Sequence, residues 1–116
     1  MPYDDELAER IRSAIAAEPG VTEKKMFGGL GFMVDGHMAI AAASDGGAML
    51  RVDPESSADL LARPGVTPME MRGRAMTGWL HLDPASVATD ESVAAYVATG
   101  VAYVRTLPPK GRVADL

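Results

Sequence analysis

An α+β sandwich is the architecture this chain predicts: a two-layer arrangement in which an antiparallel sheet carries helices packed on one side. Three observations point to it. Apolar residues recur at helical spacing near both ends and in short strand-like runs between them. Glycine-containing turns punctuate those runs at hairpin intervals. Helices and strands do not alternate one for one, which disfavours a parallel, doubly wound sheet. The 116 residues suit one domain, as single domains commonly run about 100–150 residues. We expect residues 1–116 to form that domain, with a core over 4–107 and a frayed tail over 108–116.

Residues Asp4 to Glu18 read as the first helix. Leu7, Ile11 and Ile15 form an apolar stripe, and Asp4, Asp5 and Glu6 sit where a helix N-terminus favours negative charge and capping. Pro19-Gly20 ends the element. Strand runs follow at Lys25-Met26-Phe27, Leu30 to Val34, His37 to Ala43 and Ala48 to Val52. Asp35-Gly36 is a two-residue hairpin signal, since a type I′ turn needs positive φ at both central positions. Gly28-Gly29 reads as a bulge within one longer strand, which leaves a three-stranded meander.

Asp53-Pro54-Glu55 opens a short helix, with aspartate as cap and proline where its missing N–H costs nothing. Met69 to Met71 and Ala75 to Leu82 form a second strand pair around Arg72-Gly73-Arg74. Thr89-Asp90 starts the last helix, striped by Val93, Val97, Val101 and Val104. Its small face, with Gly100, predicts close packing on the sheet. The expected order is α-β-β-β-α-β-β-α.

Composition narrows function by exclusion. Eleven basic against sixteen acidic residues give a net charge of −5, which disfavours a nucleic-acid partner bound over the whole surface. The sequence has no asparagine or glutamine, so the amide pair that reads adenine edges is missing. No apolar run exceeds six residues, as in Met38 to Ala43, far short of a membrane span, and no membrane association is expected. Without cysteine there is no thiol nucleophile or thiolate metal site; a cytoplasmic location is compatible.

The segment Lys24-Lys25-Met26-Phe27-Gly28-Gly29-Leu30-Gly31-Phe32-Met33-Val34-Asp35-Gly36-His37-Met38 resembles the N-terminal domain of the TfoX/Sxy family. Leu50-Arg51-Val52-Asp53 is similar to that family's third strand entering its helix. Gly78-Trp79 followed by Asp83-Pro84 matches its aromatic-bearing strand before the last helix. The resemblance spans residues 4–107. Longer members of that family look like bacterial regulators of natural competence that work beside a cyclic-AMP-receptor-type activator, and the resemblance implies a regulatory or adaptor module of that kind. In longer members a helical C-terminal domain follows; here it is expected to be absent, the domain standing alone. The resemblance implies no catalytic residues.

Specific constellations are sparse. Gly29-x-Gly31 lacks the third glycine and the helix of a dinucleotide fingerprint. His37 and His81 have no zinc-ligand spacing and no visible partner as general bases; His81, alternating with Leu80 and Leu82, should face away from the core. No catalytic site, metal or cofactor is expected, and the chain reads as a non-enzyme. The methionines concentrated between Met26 and Met76 fit a core, or an adaptable binding surface, and Trp79 reads as a buried sheet residue. Net charge is −4 over residues 1–23, zero over 24–82 and −1 over 83–116, so the strand region is the least acidic. The candidate partner-binding surface is therefore a sheet face with Lys24, Lys25, Met26, Phe27, Gly28, Gly29, Arg51, Arg72, Arg74 and Trp79. A protein partner is expected there, with direct nucleic-acid binding, and a small-molecule-binding domain or an enzyme whose site the sequence does not reveal, as alternatives. An open sheet edge also offers a route to a homodimer.

Overall fold

In a computed structural model describing residues 3–26, 28–71 and 73–108, α1 spans Asp5–Ile15 and α3 spans Asp90–Val104, with a short α2 at Ser57–Leu61. The strands are β1 (Val21–Met26), β2 (Gly29–Val34), β3 (His37–Ala42), β4 (Ala48–Arg51), β5 (Val66–Met71) and β6 (Arg74–Leu82). They form one antiparallel sheet in the order β1-β2-β3-β4-β6-β5. The α+β class, the one-sided helix layer and the alternation of helix and strand blocks are as expected.

One element differs. The Gly28-Gly29 bulge is instead a turn: Met26 pairs with Gly29 and Val21 with Val34, so the first strand block has four strands rather than three. Two features drive the reversal. Gly28 takes φ +76°, a conformation glycine adopts without strain. At Gly29 a Cβ would lie 2.3 Å from the Ala42 carbonyl oxygen, so the position admits only glycine. Runs such as Val21-Thr22-Glu23 are too polar to signal a strand, because β1 lies at the sheet edge and is mostly exposed.

The other turns and caps behave as their residues dictate. Asp35 and Gly36 have φ of 51° and 88°, as a type I′ turn requires. The Asp4 carboxylate accepts the Glu6 and Leu7 N–H groups at 2.9 and 3.3 Å. Asp53 and Asp83 cap 3₁₀ turns opened by Pro54 and Pro84, and Thr89 caps α3.

Register explains the core. Leu30, Ala42, Ala48, Leu82 and Val66 form one row across five strands; Phe32, Ile40, Leu50 and Leu80 form the next. Both rows are buried with Leu7, Ile11 and Ile15 of α1 and Val93, Val97, Val101 and Val104 of α3. Gly100 brings α3 so close that a Cβ would sit 2.6 Å from the Ala39 carbonyl oxygen. Arg105, at the end of α3, donates to Asp35, Glu18 and the Pro19 carbonyl at 2.9–3.1 Å, tying the helix to the β2–β3 turn and to the chain after α1.

Candidate functional site

Side chains alternate across a strand, so each row under the helices has a counterpart on the far side. There the register aligns Lys24, Gly31, Ala41, Met49, His81 and Thr67 across all six strands. The floor is made of small residues. Met38 lies against Gly31, where a Cβ would meet its terminal methyl at 3.1 Å. Around that floor Met26, Met38, Met49 and Met69, each on a different strand, line a concavity of about 280 Å³.

These four methionines are therefore not core residues. None of the described methionines is among the buried side chains under the helices. Alternation carries Met26, Met38, Met49 and Met69 to the uncovered face, where thioethers on three rotatable bonds can fill irregular space. The expectation of a methionine core fails because composition does not reveal which face of a strand the helices cover.

The polar end of the concavity is a pair that the sequence did not announce. The His81 Nε2 lies 2.8 Å from an Asp45 carboxylate oxygen, and the other Asp45 oxygen accepts the Gly47 N–H at 2.9 Å. Burial alone would raise the Asp45 carboxyl; the Gly47 N–H and the His81 ring outweigh it and hold the carboxyl below its usual value. The partners are 36 positions apart in sequence. The one signal was the alternation that turned His81 away from Leu80 and Leu82.

The residues expected to share one patch are distributed. Lys24 and Lys25 are exposed on edge strand β1, Lys24 on the uncovered face and Lys25 on the side of Leu30. Arg51 on β4 pairs with Trp79 on β6 and stacks between Trp79 and Tyr103, with ring centroids at 5.2 and 5.6 Å. Trp79 is half-buried rather than buried. Arg74 is exposed at the start of β6. Three strands separate β1 from β6, about 19 Å at the usual inter-strand spacing, so the lysines and Arg74 do not form one patch. Met26 lines the concavity beside Gly29; Gly28 and Gly29 serve the β1–β2 turn. Phe27 and Arg72 lie outside the described residues. His37 is half-buried, its Nε2 at 2.6 Å from the Pro108 carbonyl oxygen.

Both sheet edges carry features that discourage strand addition. β1 exposes Glu23, Lys24 and Lys25, whereas β5 carries Pro68 and a register shift between Pro68 and Glu70. Among the described residues, no three His, Cys, Asp or Glu side chains cluster as a metal site. No helix among them is long and apolar enough to cross a membrane.

Comparison with known proteins agrees with this architecture. The model of the TfoX N-terminal domain matches residues 5–104. The crystal structure of protein DR2400 from Deinococcus radiodurans, whose family-model domain is DUF419, superposes with a TM-score of 0.69 at 18 % identity, covering 92 % of this chain and 83 % of that one. A search of curated proteins finds no match.

Proposed function

Because the chain belongs to the TfoX N-terminal domain family, we propose that it is a non-enzymatic regulatory or adaptor module of the cytoplasm that docks a protein partner on the uncovered face of its sheet. The observation that carries this reading is the methionine-lined concavity. An apolar depression rimmed by polar groups is the kind of surface that marks an interaction site, and methionine lets such a surface adapt to a partner's side chains. Lys24 flanks it on the β1 side and Arg51 stands towards the end of β4. Asp45 is already engaged by His81. A segment with apolar anchors and acidic flanks is the matching chemistry.

Face docking is favoured over strand addition because both edges are defended. Nucleic acid is the weaker alternative: the net charge is −5, and the lysines and Arg74 lie towards opposite edges. Partners in transcription or competence regulation are the first class to test.

The test is a tagged pull-down from the native host with nuclease treatment, comparing wild type, Met49→Lys and Arg74→Glu, each verified as folded by circular dichroism. A defined protein retained through nuclease, lost with Met49→Lys and kept with Arg74→Glu, supports the reading. Capture abolished by nuclease points to nucleic acid instead. A partner held equally by Met49→Lys overturns the proposed face.

A further inference from the structure

Sulfur is distributed unevenly over the two faces of the sheet. The apolar side chains larger than alanine that line the concavity are all methionine: Met26, Met38, Met49 and Met69, on four different strands. Each of the four is half-buried. Under the helices the buried apolar side chains are Leu, Ile, Val, Phe, Ala and Tyr, none of which carries sulfur. Hydrophobicity does not call for this segregation, since leucine would make the depression at least as apolar. Thioether flexibility suits an adaptable surface, but a second property also separates the faces. The thioether sulfur is open to two-electron oxidation, and hydrocarbon side chains are not.

The second observation is the chain's lack of cysteine beside eight methionines. A thiolate would otherwise be the first group a peroxide meets; here sulfur chemistry falls to the thioethers alone. A sulfur lone pair attacks one oxygen of hydrogen peroxide, forming an S–O bond as the O–O bond breaks. The proton on the transferred oxygen passes through solvent to the departing hydroxide, which leaves as water. Sulfur gives up two electrons and the peroxide takes them. The sulfoxide that results is polar and chiral. Apart from Ser44 and the Asp45–His81 pair, the lining is Gly, Ala and Met, so a sulfoxide oxygen pressed under an apolar anchor would go unpaired.

We propose that Met26, Met38, Met49 and Met69 form a reversible oxidation site for hydrogen peroxide and related hydroperoxides, whose sulfoxide form releases the docked partner. The switching half of this inference rests on the docking reading above; the oxidation half does not. The division of labour between the faces is what makes such a site workable. The helix-covered core holds no sulfur among the described residues, so the added oxygens leave the fold standing. On the other face they bring polarity to the place where an apolar anchor sits. Each sulfoxide buried there without a donor should weaken docking about tenfold. Reversal requires a methionine sulfoxide reductase drawing two electrons and two protons from a pair of thiols, which returns the oxygen as water.

The test is treatment of the folded protein with hydrogen peroxide, followed by peptide mass spectrometry of each methionine, urea unfolding, and repair with methionine sulfoxide reductases A and B plus dithiothreitol. The four methionines are expected to gain oxygen at rates close to those of the urea-unfolded chain. The urea midpoint should stay near that of the reduced protein, and the reductases should restore the original mass. Strong protection of the four in the folded chain, unfolding on oxidation, or resistance to the reductases would each overturn the proposal. The switch is read in the nuclease-treated pull-down: the oxidised bait should lose the protein that the reduced bait retains, and regain it after repair. A variant combining Met26→Leu, Met38→Leu, Met49→Leu and Met69→Leu should keep its capture after peroxide, because leucine conserves volume and apolarity. Equal capture by oxidised and reduced wild type overturns the switch. No capture by the reduced protein counts against the docking reading, and the switch with it, while the mass shifts and their repair decide the oxidation site. Mass spectrometry of the unaltered protein decides that chemistry even where the leucine variant fails to fold.

Discussion

The two faces of the sheet are made by the same strands yet follow different rules. Under the helices, bulky side chains such as Phe32, Ile40 and Leu50 interlock and are fully buried. On the far face, Gly31 and Ala41 form a low floor beneath long, flexible methionines. The first face is packed for one arrangement; the second leaves room. The contrast shows that an alternating strand can separate close packing from an open, adaptable surface, with neighbouring positions serving different demands.

The largest effect should come from emptying the packed face. Phe32→Ala is expected to cost about 3–5 kcal/mol, the range for deleting a buried phenylalanine, whereas Met49→Ala should cost well under half as much. Urea unfolding of both variants checks this, and equal losses would break the distinction between the faces. Next comes Gly100→Ala. Helix propensity alone favours alanine by about 1 kcal/mol, but the Ala39 carbonyl oxygen would lie 2.6 Å from the new Cβ. Overpacking costs of about 1–3 kcal/mol should prevail, so the melting temperature should fall; a rise would mean that α3 can lift from the sheet.

The smallest effect concerns the rim of the packed face. Arg12 donates to both Glu23 oxygens at 2.6 and 2.8 Å, and its guanidinium lies 6.0 Å from the Phe32 ring centroid. That hydrogen bonding lowers the Glu23 carboxyl and raises the Arg12 guanidinium. A carboxyl depressed in the folded state stabilises above its unfolded pKa, and the gain is lost as pH falls through the folded value. Both side chains are more than a third exposed, so screening limits the contribution to a few tenths of a kcal/mol, in the range of about 0.2–1 for exposed pairs. Unfolding of wild type and Glu23→Gln should therefore differ slightly at pH 7 and converge below the ordinary carboxylate range.

Local chemistry made most of the fold readable. The stripes of α1 and α3, the Asp35-Gly36 turn, and the aspartate-proline and threonine caps depend on residues a few positions apart, and each appears where expected. β1 is legible only in part, as a run at Lys25-Met26-Phe27 continuous with the next strand, because an edge strand with Thr22, Glu23 and Lys24 need not look apolar. The candidate surface was only half legible. Lys24 and Met26 lie on or beside the concavity, but Met49, His81 and Asp45 are brought together by strand pairing across β4 and β6 and by the turn after β3. Equally, the sheet order that parts Lys24 from Arg74 is a long-range fact that no local spacing encodes.

That sheet order also has a consequence for synthesis. β6 lies between β4 and β5, although α2 and β5 precede it in the chain. A growing chain can assemble the β1–β4 meander early, but β4 then presents a bare hydrogen-bonding edge until residues 74–82 arrive. The rows of Leu, Ile and Phe likewise wait for α3, the final helix, to complete their cover. For the interval in which those segments are still being made, the most aggregation-prone surface belongs to a nascent intermediate and vanishes in the finished protein.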